Sequence, residues 1–333
     1  MENEKQIDIL TIGDIATEPF IKIREAEATC DPDGDHCKLC INFGGKIPYE
    51  SAEVCHAVGN SSNVAIGASR LGLSSCLVSY VGNDTTGKED IELLEEEKVN
   101  TDYIRVVNGM ESNYHYVLWY GVERTILVKH TEFPYSLPDD LVEPKWIYFS
   151  SLAPNSEEYH HEISNYLKSH PNVSLAFQPG TFQIKLGTEK LKDIYANTKI
   201  FFCNLNEAQR ILETDEEDIP KLLRMISALG PKMVVITNGI KGAYCYDGNQ
   251  VLFMKAFPKR TVESTGAGDA FASAFLSALI LEKNTNEALM WGATNAMSVV
   301  CHIGPHKGLL TRNQIEEYIK KLPEDSGPTV INN

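Results

Sequence analysis

The chain has 333 residues, a formal net charge of −16 and 43% hydrophobic residues. This composition is typical of a globular protein and excludes a disordered or collagen-like chain. The negative charge would repel a phosphate backbone, so we expect no nucleic-acid partner. MENEKQIDILTIGD lacks the basic segment and apolar core of a signal peptide, and no apolar run of about 18 residues follows, so we expect a cytoplasmic protein with no membrane partner.

The first hundred residues alternate strands with helices once an irregular segment is set aside. QIDILTI, residues 6–12, predicts a first strand that ends before Asp14. NSSNVAIGASRLGL predicts a helix that begins near Ser61 or Ser62 and stops at Gly72. SSCLVSYVG then predicts a strand, and DTTGKEDIELLEEEKV predicts a capped amphipathic helix.

Two segments interrupt that alternation. Residues 15–56 are broken by Asp, Pro, Gly and Cys, and we interpret them as short strands rather than as a separate domain. Residues 101–130 are rich in aromatic and β-branched residues and predict a hairpin that turns at Gly121. Both segments are therefore additions to an alternating α/β chain.

The alternation resumes after the second segment. WIYFSS, VSLAFQ, KIFFCN and MVVIT are short apolar runs separated by helical stretches, which indicates a parallel sheet covered on both faces. GAYCYDGNQVLFMKA predicts a hairpin that turns at Asp247 and Gly248. The last third predicts helices at roughly 267–282, 286–302 and 311–321. We expect one α/β domain over residues 1–322 and a loose tail over residues 323–333.

Eight cysteines in so long a chain are a low density, so we expect free thiols rather than disulfides. One cluster with a C-x-x-C spacing could hold zinc. Its members are Cys30, Cys37, Cys40 and Cys55, with His36 and His56 beside them. The alternative is a half-buried strand, because CKLCINF places Cys37, Leu39, Ile41 and Phe43 on one side. The sequence favours the strand and leaves zinc open.

The stretch ESTGAGDAFASAFLSALI places small residues directly before an almost wholly apolar helix. The first amide groups of such a buried helix have no partner within it and carry partial positive charge. Gly266, Ala267 and Gly268 therefore predict an anion-binding site. A carboxylate beside a bound phosphate is repulsive unless it accepts a proton from an attacking hydroxyl, which makes Asp269 a candidate general base. The alternative is that Asp269 caps the helix.

Two further stretches follow neighbouring strands. NLNE places Asn204 and Glu207 after KIFFC, where an amide and a carboxylate suit hydrated Mg²⁺. A helix cap at Asn204 or Asn206 is the alternative. TNGIKGAY places Gly239 and Gly242 after the next strand, where they let a nucleotide approach the backbone, although a plain turn explains them too.

These stretches together resemble the PfkB, or ribokinase-like, family of small-molecule kinases. TGAGDAF is similar to the family's C-terminal signature, NLNE to its magnesium motif and TNGIKGAY to its nucleotide loop. VGNSSNVAIGASRLG resembles its N-terminal glycine motif, and VGNDTTG the element that follows. The resemblance spans nearly the whole chain and implies a ribokinase-like α/β fold. In that fold a central, mostly parallel sheet has helices on both faces and a small β lid, here contributed by residues 15–56 and 101–130.

The resemblance also assigns roles to single residues. It implies an ATP- and Mg²⁺-dependent kinase in which Asp269 is the general base and the first amides of its helix form the anion hole. The assigned residues are Gly266, Ala267, Gly268 and Asp269 for the anion hole, Thr237, Gly239, Gly242 and Thr265 for the nucleotide, Asn204 and Glu207 for Mg²⁺, and Asp14, Gly59 and Asn63 for the acceptor. The lid would exclude water. In the family, lids often also pair two subunits, so the resemblance allows a homodimer.

The chain departs from the family pattern at several positions. The family usually has Asp where Glu263 and Glu18 stand and Gly where Val58 stands. Glu263 leaves open whether a monovalent cation binds, and the other two changes leave the substrate open. Arg124 lies in a turn that many family lids carry and is a candidate to reach a phosphate or substrate, with a solvated surface arginine as the alternative.

The leading hypothesis is a kinase that phosphorylates a sugar hydroxyl, and an adenosine-type nucleoside is the alternative acceptor. Aromatic residues of the hairpin could stack on a base or a sugar face, or pack the sheet. They are Tyr114, Tyr116, Trp119 and Tyr120. A nucleotide or metabolite sensor that has lost turnover is a further hypothesis, and the presence of Asp269 and Glu207 argues against it. A nicotinamide-dependent oxidoreductase would need a G-x-G-x-x-G turn, which TIGDIATEP lacks.

Overall fold

The computed structural model describes residues 6–31, 37–121 and 123–331. The strands are β1 (Ile9–Ile12), β2 (Ala16–Ile23), β3 (Glu27–Cys30), β4 (Cys37–Cys40), β5 (Tyr49–Val58), β6 (Ser75–Gly82), β7 (Ile104–Val107), β8 (Asn113–Tyr114), β9 (Tyr116–Tyr120), β10 (Glu123–Leu127), β11 (Trp146–Phe149), β12 (Ser174–Phe177), β13 (Thr198–Asn204), β14 (Met233–Thr237), β15 (Ala243–Tyr246), β16 (Val251–Met254) and β17 (Thr329–Ile331). The helices are α1 (Asn60–Arg70), α2 (Thr85–Glu96), α3 (Glu157–Ser169), α4 (Thr181–Leu186), α5 (Lys192–Asn197), α6 (Leu205–Leu212), α7 (Ile219–Ser227), α8 (Ala267–Ile280), α9 (Thr285–Val299) and α10 (Arg312–Lys320). Within these ranges no helix has the length and apolar character needed to cross a bilayer.

A ten-stranded sheet forms the centre of the fold in the order β17-β16-β15-β14-β13-β12-β11-β1-β6-β7. Its strands from β14 to β7 are parallel, and β15, β16 and β17 add an antiparallel edge. The predicted mostly parallel sheet is thus confirmed. Because β1 lies between β6 and β11, the winding of the sheet changes direction there. Open α/β sheets bind ligands at the carboxyl ends of the strands that flank such a point.

The parallel strands are buried between two layers of helices. In β1, Leu10 and Ile12 belong to a core formed with α3, α5, α6 and α7. Ile9 belongs to a core formed with α1, α8, α9 and α10. This alternation follows from the two-residue period of a strand, and it explains why the strands near the centre carry apolar residues on both faces. Helix α8 is buried from Asp269 to Ala278, so its first turn lies inside the molecule.

A second sheet brings the two interrupting segments together. Its order is β10-β9-β2-β5, with β8 beside β2. Strand β2 pairs antiparallel with β5 and parallel with β9, and β9 pairs with β10 in a hairpin. The hairpin turns at Gly121, as predicted, where φ is 65° and glycine is favoured. This sheet is the small β layer that the sequence predicted beside the main sheet.

The expectation of a loose tail over residues 323–333 is wrong for Thr329–Ile331. These residues form β17, and Val330 lies opposite Leu252 of β16. A three-residue strand is too short to show a hydrophobic period, and it forms here because β16 offers an unpaired edge.

The cysteine-containing ribbon also differs from the prediction. Strands β3 and β4 pair antiparallel, which sets Cys30 opposite Cys37, and a disulfide joins the two. The expectation of free thiols is therefore wrong for this pair, because the register of a ribbon cannot be inferred from cysteine density. The half-buried strand is also not found, since Ile41 and Phe43 are 51% and 107% exposed. No cluster of three or more metal-binding side chains occurs in the described residues, and His36 lies outside them.

Candidate active site

Asp269 lies in the first turn of α8 and is only 7% exposed. Its Oδ1 accepts hydrogen bonds from Asn60 Nδ2 at 2.8 Å and Gln178 Nε2 at 2.9 Å. Its Oδ2 accepts one from Asn63 Nδ2 at 2.7 Å. Burial raises the pKa of Asp269, and the three amide donors oppose that rise. The helix-cap alternative is not observed, because Gly266 occupies the cap position and the Asp269 carboxylate faces α1 and the end of β12.

The start of α8 presents unpartnered amide groups to open space. Gly266 has a φ of 74°, and a Cβ there would lie 2.4 Å from Pro305 Cβ, so glycine is required for this turn. The Ala267 amide donates to the Ser264 carbonyl at 3.3 Å. The amides of Gly268 and Asp269 have no acceptor among the described residues, and a Cβ on Gly268 would meet no atom within 4 Å. We therefore expect the amides of Gly268 and Asp269 to bind the anion, and Gly266 to shape the turn that presents them.

A cavity of about 410 Å³ lies against this turn. Ala267 and Gly268 of α8 line it, and so do Thr237 at the end of β14 and Gly239 and Gly242 after it. Apolar side chains cover much of the rest, among them Met254, Phe257, Phe271, Ala293, Ala296 and Met297. A mostly apolar cavity of this size suits a nucleotide base and ribose. The structure thus brings the predicted anion site and the predicted nucleotide loop into one cavity.

Thr265 does not line that cavity, in contrast to its predicted nucleotide role. Its amide and hydroxyl donate to Glu263 Oε1 at 2.6 and 2.5 Å. Arg124, from the second sheet, has its Nη1 3.7 Å from the same oxygen and donates to Ser264 Oγ at 2.8 Å. Glu263 is 1% exposed, so these contacts compensate a buried charge. Arg124 is therefore not a solvated surface arginine, and Thr265 anchors the carboxylate that Arg124 meets.

Asn204 and Glu207 form a capping box at the start of α6. Asn204 Oδ1 accepts from the Glu207 amide at 2.8 Å, and Glu207 Oε2 accepts from the Asn204 amide at 2.9 Å. The predicted alternative of a cap at Asn204 is thus observed. Burial, and then the negative charge of Asp269, raise the pKa of Glu207. Because Glu207 Oε1 has no hydrogen-bond partner among the described residues, one carboxylate oxygen is left for a cation, and the site fits a hydrated cation better than a closed metal cage.

Two of the predicted acceptor residues, Asp14 and Gly59, lie close together. A Cβ at Gly59 would lie 2.4 Å from the Asp14 carbonyl oxygen, so no larger residue fits. Asp14 is 5% exposed, and its Oδ1 and Oδ2 accept from the Tyr135 hydroxyl at 2.9 and 2.7 Å. His130 Nδ1 lies 3.5 Å from Asp14 Oδ2. The Asp14 carboxylate is therefore already held by a protein hydroxyl, and Asn63 is held by Asp269.

A second carboxylate lies beside this group. His115 Nδ1 is 3.0 Å from Glu18 Oε1, and both residues are more than nine-tenths buried. Glu18 Oε2 and His115 Nε2 have no partner within the described part of the chain. The rings of His115 and His130 are 5.1 Å apart, which connects this pair to Asp14. No lysine or arginine of the described residues pairs with Glu18 or Asp14, so an anionic group would be repelled here.

Several of these side chains were missed by sequence reasoning. They are Asn60, Gln178, Tyr135, His115 and His130, together with His306, whose Nε2 lies 2.8 Å from Asn63 Oδ1. A signal existed for two of them: Asn60 lies three residues before Asn63 and so shares its helix face, and Gln178 ends an apolar strand. The others come from loops whose positions depend on the tertiary fold. The hairpin aromatic Trp119 is 6% exposed and donates to the Gly121 carbonyl, so it packs the second sheet.

The chain is similar to known kinases over most of its length. The model of the pfkB family carbohydrate kinases matches residues 26–312. Ribokinase of Bacillus subtilis (strain 168) is 28% identical over 268 residues, covering 78% of this chain and 87% of that protein. ATP-dependent 6-phosphofructokinase of Thermoanaerobacterium thermosaccharolyticum is 26% identical over 303 residues, covering 87% of each.

A solved structure shows the same architecture. Arabidopsis thaliana ribokinase complexed with ribose and ATP superposes with a TM-score of 0.78 at 20% identity, covering 95% of this chain and 99% of that one. The fold is therefore the ribokinase fold that the sequence predicted. The chain belongs to the pfkB family of carbohydrate kinases and is a phosphotransferase with a hydroxyl group as acceptor.

Proposed function

We propose that the chain transfers the γ-phosphoryl group of ATP to a hydroxyl of an uncharged sugar of pentose or hexose type, with Asp269 as the general base. One observation carries the proposal: a single helix turn lies between the cavity and the Asp269 carboxylate. Gly268 lines the cavity, whereas the carboxylate of the next residue faces Asn60, Asn63 and Gln178. A nucleotide phosphate and an acceptor hydroxyl can therefore meet at the start of α8.

The residues of this turn have separate roles in phosphoryl transfer. Asp269 takes the proton of the acceptor hydroxyl as its oxygen attacks the γ-phosphorus. The amides of Gly268 and Asp269 stabilise the charge that develops on the phosphoryl oxygens. The raised pKa of the Asp269 carboxylate makes it a stronger base, and the side-chain amides of Asn60, Asn63 and Gln178 keep it oriented. ATP would lie in the cavity bordered by Thr237, Gly239 and Gly242.

Mg²⁺ would be held near Glu207, largely through water, and would offset negative charge on the phosphates when bound. Asn204 would act indirectly, because its side-chain oxygen fixes the helix start that carries Glu207. We propose no separate monovalent cation, since the Arg124 guanidinium already lies beside the buried Glu263. The fit for Mg²⁺ rests on the donor available here: one oxygen of the Glu207 carboxylate is held by the Asn204 amide, and the other has no hydrogen-bond partner among the described residues.

The second sheet would act as a lid. It carries Arg124 to the loop before α8, and its Glu18–His115 pair reaches Asp14 through His130. Closing it would exclude water that competes as phosphoryl acceptor. Its outer residues Tyr49, Val54, Tyr116 and Leu127 are each 48% to 61% exposed, which suits the homodimer through the lid that the family resemblance allows.

The proposal is tested by ADP release with Mg²⁺ and ATP over ribose, fructose, glucose, adenosine, cytidine, fructose 6-phosphate and gluconate. We expect an uncharged sugar to give the highest kcat/KM, because Asp14 and Glu18 repel an anionic acceptor. A nucleoside with the highest kcat/KM would support the alternative acceptor. A folded protein that releases no ADP with any acceptor would contradict the kinase proposal.

Charge at the metal site gives a separate prediction. Glu207→Gln keeps the capping box, since Gln also serves at this position, but removes the charge. We expect the Mg²⁺ concentration for half-maximal activity to rise by about tenfold, in line with loss of one charge-assisted contact. The measurement is initial rate against Mg²⁺ at fixed ATP. Glu217→Gln, at an exposed position of the following loop, is the control, and an unchanged Mg²⁺ requirement in Glu207→Gln would contradict the assignment.

A further inference from the structure

His306 connects to the proposed base through one side chain. His306 Nε2 lies 2.8 Å from Asn63 Oδ1, and Asn63 Nδ2 donates to Asp269 Oδ2 at 2.7 Å. Asn63 is 3% exposed, so water has little access to this amide. We propose that His306 is a positioning residue: by fixing the orientation of the Asn63 amide, it sets the Asp269 oxygen that takes the acceptor proton. This inference rests on the proposed function of Asp269.

The two neighbours of Asn63 leave its amide only one orientation. A carboxylate oxygen accepts hydrogen bonds, so the NH₂ group of Asn63 must face Asp269. The amide oxygen then faces His306, and the His306 Nε2 must carry a proton to donate to it. Burial, and then the Arg70 guanidinium, lower the pKa of His306 to about 4. At neutral pH the ring is therefore uncharged, and its single proton is on Nε2.

The orientation matters because the oxygens of Asp269 are not equivalent. Oδ1 accepts from both Asn60 and Gln178, whereas Oδ2 accepts from Asn63 alone among the described residues. Oδ2 therefore keeps the greater capacity for another proton, and we assign it as the basic oxygen. If the Asn63 amide turned over, its carbonyl oxygen would face Oδ2, and repulsion would turn the carboxylate away from the acceptor.

The backbone around His306 is held by the same elements that form the site. The His306 carbonyl accepts from Arg70 Nη1 at 2.8 Å, and Arg70 also pairs with Glu97. Pro305, the preceding residue, packs so closely on Gly266 that a Cβ there would lie 2.4 Å away. The charged groups that act on the His306 ring are Arg70 and Glu97. His306 is thus fixed to the end of α1 and to the start of α8, between which Asn63 and Asp269 meet.

The test compares His306→Leu with His306→Gln, whose side-chain amide keeps a hydrogen-bond donor. We expect His306→Leu to lower kcat by about tenfold or more and to leave the KM for ATP within about twofold, since the cavity is untouched. The acid limb of the kcat/KM profile should move to higher pH, because loss of the Asn63 hydrogen bond raises the pKa of Asp269. His306→Gln should retain most of the wild-type kcat and an acid limb close to that of the wild type. The control is His302→Leu, an exposed histidine on the same loop whose ring, among the described residues, bonds only the Ser298 carbonyl.

A double-mutant cycle separates positioning from a general loss of structure. In the Asn63→Ala background, His306→Leu should have no further effect on kcat, because the residue through which it acts is gone. Additive effects, or an unshifted pH profile in His306→Leu, would overturn the proposal. The side-chain amide resonances of Asn63 in the nucleotide-free protein give a readout independent of turnover, and we expect them to shift in His306→Leu but not in His302→Leu. That shift would remain if no acceptor were phosphorylated, so failure of the kinase proposal and failure of this one are distinguishable.

Discussion

Asp269→Asn is expected to lower kcat by about a thousandfold, the scale on which a positioned general base contributes. The binding of ATP should stay within about twofold, because the Asp269 side chain faces Asn60, Asn63 and Gln178 rather than the cavity. An amide in place of the carboxylate would turn its NH₂ group toward one of these donors, so one hydrogen bond is lost while the volume is unchanged. Rates at saturating ATP and acceptor, with nucleotide affinity measured by calorimetry, give the two quantities.

The matched control is Asp84→Asn, which removes a carboxylate that also accepts three hydrogen bonds. Asp84 caps α2 and accepts from the Gly87 amide and from the amide and hydroxyl of Ser112, at 2.7 to 2.8 Å. Asp84→Asn should lower thermal stability through the lost cap and leave kcat unchanged. If Asp269→Asn kept kcat within about tenfold of the wild type, Asp269 would not be the general base.

Much of the fold could be predicted because its signals are local. The parallel strands are mainly apolar because both faces are covered, as Ile9 and Leu10 of β1 show by packing on opposite layers. The start of α8 could be predicted for the same reason: small residues before a buried helix are visible in one short stretch. Strand β17 and the disulfide of Cys30 and Cys37 could not, since both depend on which edge or register a short segment finds.

The sequence predicted the polar motif residues of the site but not the distant residues that hold them in place. Asp269 and Asn63 were both identified, but not that they touch, because 206 residues separate them. His306 is 243 residues from Asn63, and Arg124 is 140 from Ser264. No local pattern marks His306, and the turn around Arg124 made it a candidate to reach a phosphate or substrate without indicating its contact with Ser264. Thr265 shows the converse, since a motif position indicated a nucleotide contact where the structure has a hydrogen bond to Glu263.

Arg124→Ala is expected to lower kcat by about a hundredfold, the scale on which one preorganised donor to a developing anion acts. Arg124 is the lid residue that meets the loop before α8, through Ser264 Oγ at 2.8 Å and Glu263 Oε1 at 3.7 Å. Its Nε has no partner among the described residues although it is buried, so the guanidinium retains a free donor at this point. A phosphoryl group on the amides of Gly268 and Asp269 would provide the acceptor.

Two readouts distinguish this role from a loss of lid structure. The positive charge of Arg124 lowers the pKa of Asp269, so its removal should move the acid limb of kcat/KM to higher pH. Arg124→Lys keeps the charge but not the paired donors. We expect it to show the wild-type pH profile and only part of the wild-type kcat. Lys22→Ala is the control, because Lys22 is a cation of the same sheet that pairs with Glu50 and lies over the Trp119 ring. An equal loss of kcat in Lys22→Ala would mean that the lid needs its cations for stability, and a pH profile unchanged in Arg124→Ala would mean that the arginine does not act at the base.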